Sequence, residues 1–268
     1  MRDFSAIITG DEVLNCTVND ENGFWLCKEM NYIGFSTREI IFIRDDIGSI
    51  SAHIRRLISL KIDIIIITGG LGPTYDDKTL KAVSEATGRQ LKLNEEALSM
   101  VSKRYDLLYE KGIISDNKIN RNREKMAIMP EGSVPIKNSS GAAPGIMLKI
   151  DQTVLFALPG VPSEMKTMFD EEVKRIILKE FGSWTYKEKN VFVDHRDEST
   201  ITEILENISK SHGVYVKSRS GKLNNERKMV ITFATRAEDY SFAEEKLDKA
   251  LIDLLKYLDD TGIKYIIQ

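Results

Sequence analysis

The chain has 268 residues, enough for one large hydrophobic core and a small second domain. Its formal net charge is −3, so no global basic field favours nucleic acid, and no apolar run approaches the roughly 20 residues that span a bilayer. Two cysteines without a CxxC pair and three scattered histidines suggest neither a disulfide framework nor a histidine metal site, and we expect a cytoplasmic protein.

The first part of the chain alternates short apolar runs with segments of helical periodicity. Strands are predicted at residues 4–8, 37–43 and 62–67, and helices at residues 22–33, 47–58 and 79–86. The third strand is isoleucine at every position except Asp63, which is typical of a strand buried on both faces. Strands that alternate with helices imply right-handed crossovers and a parallel, doubly wound sheet.

The middle of the chain adds further helices and a hairpin. Helices are predicted from the cap Asn94 to Gly112, over the polar residues 116–129 before Pro130, and along the apolar stripe of residues 165–177. Strands at residues 146–150 and 154–158 are separated by three residues. Such a short connection predicts an antiparallel hairpin.

The pattern changes near Gly182, and a compact α+β unit is predicted beyond it. Its elements are strands at residues 191–193, 214–218 and 229–235 and helices at residues 199–210 and 240–258. We therefore expect a first domain over residues 1–180 and a small second domain over residues 186–268.

A glycine-rich loop after the third strand carries the strongest functional signal. It reads Thr68-Gly69-Gly70-Leu71-Gly72-Pro73-Thr74, and two acidic residues, Asp76 and Asp77, precede the next helix. Glycines allow positive φ and a close approach to backbone N–H groups, and a helix N-terminus is a natural seat for phosphate. Acidic residues beside a phosphate fit a divalent cation that bridges the two. The stretch therefore predicts a site for a phosphorylated ligand.

Other loops should reach the same edge of the sheet, beyond the carboxyl ends of the strands, where ligands of doubly wound folds bind. Residues 10–12 leave the first strand, Asp45 and Asp46 leave the second, and residues 159–163 leave the hairpin. Residues 141–145 join them if strand 154–158 runs parallel to the first three. Each loop alone has a simpler explanation, such as a tight turn or, for Asp46, a helix cap. Five such segments at one edge favour a functional site.

Three segments resemble the signatures of a known family: residues 68–79, residues 141–145 (Gly-Ala-Ala-Pro-Gly) and residues 158–164 (Leu-Pro-Gly-Val-Pro-Ser-Glu). Over residues 4–177 the chain resembles the molybdenum-cofactor-biosynthesis fold. It looks closest to the N-terminal domain of the competence/damage-inducible protein A family, without that family's C-terminal deamidase domain. The resemblance implies a three-layer α/β sandwich with a mostly parallel sheet, which binds molybdopterin or a nucleotide at the strand ends, and a small C-terminal α+β domain.

The resemblance also implies roles for individual residues. It implies catalysis by Asp77 and by Asp45 or Asp46. From the acidic loops at the sheet edge, we expect Asp46, Asp77 and Glu12 to bind a divalent metal ion (Mg²⁺, Mn²⁺ or Co²⁺). We expect the ligand and its phosphates to contact Thr68, Gly69, Gly70, Gly72, Gly141, Pro144, Gly145, Pro159, Gly160 and Ser163. The chain departs from the family at Cys16, where the family usually has glycine. A side chain at this position would narrow the cavity or rotate the loop that carries Glu12.

Three functions compete. The first is the metal-dependent hydrolysis of an ADP-ribose-like nucleotide pyrophosphate, which the resemblance implies. The alternative is a molybdopterin- or nucleotide-binding protein, or an enzyme like molybdopterin adenylyltransferase; a requirement for metal in turnover separates an enzyme from a binding module. A nucleic-acid role for the basic residues 217–222 is disfavoured by the overall acidity. We expect a small phosphorylated nucleotide or pterin as partner, a homo-oligomer, and no membrane.

Overall fold

The computed structural model describes residues 2–223 and 226–267, which form two compact units. The first unit comprises the chain up to Asn31 together with Phe35–Gly182. The second unit comprises Tyr32–Gly34 together with the chain from Ser183 on. None of the helices in the described residues is both long and apolar enough to cross a membrane.

The first unit is built on a mostly parallel sheet. Its strands are β1 (Asp3–Thr9), β2 (Ser36–Ile43), β3 (Ile64–Thr68), β4 (Leu91–Leu93), β5 (Ile128–Pro130), β6 (Val134–Ile136), β7 (Gly145–Ile150) and β8 (Thr153–Leu158). Six of them form one sheet in the order β2-β1-β3-β8-β7-β6. The strands β1, β2, β3 and β8 are parallel, whereas β7 is antiparallel to both of its neighbours. The predicted fold class is confirmed.

Helices cover both faces of this sheet and complete the three layers. They are α1 (Asp11–Leu14), α2 (Asn22–Tyr32), α3 (Ile47–Ser59), α4 (Thr79–Thr87), α5 (Glu95–Glu110), α6 (Arg121–Lys125), α7 (Pro162–Met168) and α8 (Lys174–Phe181). Ile65 and Ile67 of β3 belong to the core beneath α3, α4 and α5. Because side chains alternate along a strand, Ile66 faces the other side. On that side Trp25 of α2 packs edge-on against Phe169, with ring centroids 5.2 Å apart.

The central strand β3 determines which loops meet. All five of its residues are buried, and it pairs in parallel with β1 on one side and with β8 on the other. It begins at Ile64, two residues later than predicted. Because β8 is parallel to β3 and antiparallel to β7, the start of β7 lies beside the end of β8. Residues 141–145 therefore reach the carboxyl edge of the sheet.

The predicted helix over residues 116–129 is wrong. The helix α6 covers five residues, and the side chain of Asn120 caps it by accepting hydrogen bonds from the backbone N of Asn122 and of Arg123, each at 3.0 Å. The strand β5 follows and pairs antiparallel with β4. Pro130 disfavours a helical conformation in the residue before it. The backbone hydrogen bonds of β5 are made with β4 instead. Helical periodicity does not reveal this pairing, because β4 is distant in the sequence.

The second unit is a small α+β domain, as predicted. Its elements are β9 (Thr185–Val193), a 3₁₀ turn (Glu198–Thr200), α9 (Thr202–His212), β10 (Tyr215–Leu223), β11 (Glu226–Ala237), α10 (Tyr240–Asp260) and β12 (Tyr265–Ile267). The strands form an antiparallel sheet in the order β10-β11-β9-β12. Ile231 and Phe233 of β11 pack with Leu247 and Leu254 of α10 in its core. The strand β9 is longer than the predicted 191–193, and β12 is absent from the prediction.

Candidate ligand-binding site

A cavity of about 570 Å³ opens at the carboxyl edge of the sheet in the first unit. Its wall includes Thr9 at the end of β1, Asp45 after β2, residues 69–73 after β3 and residues 159–162 after β8. Residues 142–143, which precede β7, complete it. The loops therefore come together in the order in which their strands lie in the sheet.

Some of the residues predicted for this site line the cavity and others do not. Eight line it: Glu12, Asp45, Gly69, Gly70, Gly72, Asp77, Pro159 and Gly160. The remaining six are Asp46, Thr68, Gly141, Pro144, Gly145 and Ser163. Of these, Asp46 and Ser163 are exposed, and the other four are buried. The Oδ2 of Asp46 accepts a hydrogen bond of 2.7 Å from the backbone N of Ser49, so this carboxylate caps α3.

The glycine loop folds tightly against its neighbours. Gly69 has a φ of 104° and Gly70 a φ of 67°, and both values strain any other residue. A Cβ on Gly69 would lie 2.7 Å from the carbonyl oxygen of Thr9, and one on Gly70 would lie 2.3 Å from Oγ1 of Thr79. That hydroxyl is buried and donates a hydrogen bond of 2.7 Å to the carbonyl oxygen of Gly69. These two glycines are therefore required by the packing of the loop itself.

Three consecutive amides of this loop are available to a ligand. The N–H of Gly69 donates to the carbonyl oxygen of Leu158 at 3.0 Å. The N–H groups of Gly70, Leu71 and Gly72 have no acceptor among the residues that the structure describes. All three residues line the cavity. A run of free backbone donors is suited to an anionic oxygen.

The acidic residues after the loop are organised around Thr74. The Oδ2 of Asp77 accepts hydrogen bonds from the backbone N of Thr74 at 2.8 Å and from its Oγ1 at 2.6 Å. The same hydroxyl contacts Asp76, and this hydrogen bond holds the pKa of the Asp76 carboxyl below its usual range. Asp77 is half-buried and lines the cavity in a fixed orientation.

Asp45 lies in surroundings that disfavour its charged form. Burial raises the pKa of its carboxyl, a hydrogen bond with Thr9 opposes the rise, and the negative charges of Glu12 and Asp11 add to it. The ammonium group of Lys78 donates a hydrogen bond of 3.0 Å to the backbone oxygen of Asp45, which ties this loop to the start of α4. Burial and the charges of Glu12 and Asp11 disfavour the charged carboxylate, whereas the hydrogen bonds with Thr9 and with the backbone of Asp11 favour it.

The part of the cavity wall that the structure describes is acidic. Seven carboxylates line it: Glu12, Asp20, Glu21, Asp45, Asp76, Asp77 and Glu164. Among the described residues of the wall, none is lysine, arginine or histidine. Over residues 2–223 and 226–267, no three His, Cys, Asp or Glu side chains are close enough together to hold a metal ion by themselves. Mg²⁺ commonly takes one or two protein carboxylates and completes its shell with substrate phosphates and water.

Several residues of the wall are missing from the sequence prediction. The Nδ2 of Asn22 donates a hydrogen bond of 2.8 Å to the carbonyl oxygen of Gly160. The carboxylate of Asp20 accepts hydrogen bonds from the backbone at the start of α2. Glu164 is held by Asn138, whose Nδ2 donates to its Oε2 at 2.8 Å. The spacing of an Asp just before an apolar helix is a capping signal that could have identified Asp20. The other contacts join distant segments.

Cys16 lies outside the wall of the cavity, so its side chain does not narrow it. Its φ is 55°, in the left-handed region that glycine adopts without strain. The side chain is exposed. The cysteine at this position therefore affects backbone strain and not contact with a ligand.

Comparison with known proteins supports the resemblance. Residues 5–179 match the family model described as "Probable molybdopterin binding domain". The chain is 35% identical over 259 residues to Protein PH0439 of Pyrococcus horikoshii, which covers 97% of this chain and 95% of that protein. It is 34% identical over 262 residues to Protein TK1472 of Thermococcus kodakarensis, covering 97% and 98%. It is also similar to the crystal structure of "the protein CinA with unknown function" from Thermoplasma acidophilum, at 30% identity and a TM-score of 0.59, covering 66% of this chain and 98% of that one.

Proposed function

The chain belongs to the family of probable molybdopterin binding domains and is CinA-like over that domain, and from this premise we propose that its first unit binds a phosphorylated nucleotide or pterin. We further propose that it hydrolyses the pyrophosphate of an ADP-ribose-like nucleotide with the help of a divalent metal ion. The ligand-binding domain is proposed to be residues 1–180, with residues 186–268 as a separate domain. A homo-oligomer and a cytoplasmic location stay predictions.

The observation that supports metal dependence is the charge of the cavity. The described wall of the cavity carries seven carboxylates and no lysine, arginine or histidine, so its net negative charge would oppose a pyrophosphate that enters without a cation. The free amides of Gly70, Leu71 and Gly72 supply partial positive charge but no net charge. A divalent cation would offset the repulsion and would also relieve Asp45, whose charged form is disfavoured. A polyanion and a cation therefore fit this cavity together better than either fits alone.

The residues of the wall have distinct roles in this proposal. Two of these carboxylates, Asp45 and Asp77, would hold the ion, with phosphate oxygens and water completing its shell, and Glu12 would contact a water of that shell. The bound ion would polarise the phosphorus and lower the pKa of a bound water. The amides of Gly70 and Gly72 would hold phosphate oxygens and stabilise the charge that develops on them in the transition state. Asp46 is not needed for this, because its carboxylate caps α3.

The test is direct. The purified chain is incubated with ADP-ribose and with a panel of dinucleotide pyrophosphates, each with Mg²⁺, Mn²⁺ or Co²⁺ or with EDTA. Metal-dependent release of AMP and ribose 5-phosphate from ADP-ribose is expected. If no pyrophosphate is cleaved with any metal, the hydrolase proposal fails and binding alone remains.

A second candidate is supported by the description of the matched family. In this candidate the ligand is molybdopterin, which the domain binds or adenylates. Equilibrium binding of molybdopterin without a metal ion would favour a binding role. Release of pyrophosphate from ATP only when molybdopterin is present would favour adenylation.

A further inference from the structure

We infer that Glu164 determines the specificity of the cavity by accepting hydrogen bonds from uncharged donors, O–H or N–H, on the organic part of the ligand. The inference rests on the proposed function. It adds how the protein recognises the part of the ligand that does not contact the phosphate site. Such donors are the ribose hydroxyls of a nucleotide and the amino and ring N–H groups of a guanine or a pterin.

The first reason is that Glu164 is held in place by a neutral group. The Nδ2 of Asn138 donates to Oε2 of Glu164 at 2.8 Å and to the carbonyl oxygen of Ala143 at 3.0 Å. The Oδ1 of Asn138 accepts hydrogen bonds from the backbone N of Ser140 at 3.1 Å and of Gly141 at 2.7 Å. The four hydrogen bonds of the Asn138 side-chain amide therefore hold the loop before β7 and orient the carboxylate of Glu164.

The second reason is close contact between this loop and the carboxylate. A Cβ on Gly141 would lie 1.8 Å from Oε2 of Glu164, so the backbone abuts the carboxylate. Glu164 is half-buried in the first turn of α7 and lines the cavity. Its conformation is therefore set before a ligand arrives, which lowers the entropic cost of binding.

The third reason is the chemistry of a carboxylate. Its two oxygens offer about four acceptor positions and no donor. Asn138 occupies one position on Oε2 and Gly141 abuts the same oxygen, which leaves the positions on Oε1 for the ligand. A site built to bond an O–H or N–H rejects an analogue that lacks it, because the site's polar group then loses its partner. Another phosphate at this position would be repelled.

The fourth reason is the order of the loops along the sheet. The strands lie in the order β2-β1-β3-β8-β7, so Asp45 after β2 and Glu164 after β8 stand on opposite sides of the glycine loop that follows β3. A phosphate on the amides of that loop lies between them. If a cation binds on the side of Asp45, the organic part of the ligand must lie on the side of Glu164.

The test uses two matched pairs of probes with Mg²⁺, measured by isothermal titration calorimetry. GDP and inosine diphosphate differ only in the 2-amino group. ADP and its 2′,3′-dideoxy analogue differ only in the ribose hydroxyls. The variant is Glu164→Gln, which keeps the length of the side chain and an acceptor for Asn138 but loses the charge. Inorganic pyrophosphate is the control for the phosphate site.

Wild type should prefer the donor-bearing member of at least one pair. Glu164→Gln should lower the affinity for that member by roughly tenfold or more, the scale of one hydrogen bond to a charged group, and leave the other member and pyrophosphate unchanged. The pair that responds identifies the donor as a ring amino group or a ribose hydroxyl. Equal changes within both pairs, or none, would overturn the inference while pyrophosphate binding keeps the proposed function.

A second variant decides if Glu164→Gln does not fold. Asn138→Asp keeps the acceptor for the two backbone N–H groups, removes the donor to Glu164 and to Ala143, and places a second negative charge beside Glu164. Because Glu164 then loses its orientation, the same donor-specific loss is expected. No binding of pyrophosphate or of any probe to wild type removes the proposed function and this inference with it. Binding of pyrophosphate without discrimination within either pair removes the inference alone.

Discussion

Carboxylates stand on both sides of the glycine loop, and the chain holds them in different ways. On the side of β1 and β2, Asp45 is half-buried near Glu12 and Asp11, and burial together with their charges raises its pKa. On the side of β8, the neutral amide of Asn138 donates a hydrogen bond to Glu164. A carboxylate whose charged form is disfavoured is stabilised by a cation, whereas one already oriented by an amide suits neutral donors. The comparison separates a cation-dependent half of the cavity from a donor-recognising half.

The largest effect is expected at Asp77, between the two halves. Asn keeps the shape and an acceptor for the backbone N of Thr74 but loses the charge that would hold a divalent ion. We expect metal-dependent hydrolysis by Asp77→Asn to fall by roughly a hundredfold or more, with a matching loss of metal affinity. Stability should change by no more than about 0.3–1 kcal/mol. Rates at several metal concentrations and the melting temperature measure both.

A matched control for Asp77→Asn is Asp151→Asn. Asp151 is an exposed aspartate in the turn between β7 and β8, at the other end of the sheet. Its φ is 51°, which asparagine tolerates well. The control should hydrolyse as wild type does. If Asp77→Asn is as active as this control, Asp77 has no part in the mechanism.

The next effect separates two neighbours. Asp45 lines the cavity, whereas Asp46 caps α3, and asparagine is as good a cap as aspartate. Asp45→Asn should therefore lower turnover and metal affinity by roughly tenfold or more, since one charged ligand of the ion is lost. Asp46→Asn should leave both unchanged. A loss of metal affinity in Asp46→Asn that equals the loss in Asp45→Asn would contradict the assignment to Asp45.

This pair also shows where prediction from sequence ends. The glycine loop and Asp77 are recognisable because they are contiguous and follow a buried strand. Adjacent aspartates such as Asp45 and Asp46 look equivalent until the fold decides which one caps a helix. The contact between Asn138 and Glu164 joins residues far apart in the chain, and only the pairing of β7 with β8 brings their loops together. The strand β5 is predicted as helix for the same reason, since its partner β4 is distant in the sequence.

The third effect is on stability and has the opposite sign. Because the folded-state pKa of Asp45 is raised, the folded chain binds this proton more tightly than the unfolded chain does. The stability linked to it is fully present below the unfolded pKa, about 3.9, and is lost as pH rises through the folded pKa. At neutral pH the ionised Asp45 therefore destabilises the fold. Asp45→Asn should raise the melting temperature at pH 7 in metal-free buffer and leave it unchanged near pH 3.

That prediction has its own control in Asp46→Asn, whose carboxylate is satisfied as a cap. Its melting temperature should follow that of wild type at both pH values. A lower melting temperature for Asp45→Asn at pH 7 would mean that its hydrogen bond with Thr9 outweighs burial and the nearby charges.

The smallest effect is expected on the side of β8. Glu164→Gln replaces a charged acceptor with a neutral one, and the glutamine oxygen can still accept from Nδ2 of Asn138. A hydrogen bond to a charged group contributes more than a neutral one, so unfolding in metal-free urea should become easier by about 1 kcal/mol or less. The direction is opposite to that at Asp45 because Asn138 satisfies this carboxylate in the folded chain, while burial and like charges disfavour the other. If Glu164→Gln raised stability as much as Asp45→Asn, the charged form of both carboxylates would be equally disfavoured in the folded chain. The division of the cavity into two halves would then fail.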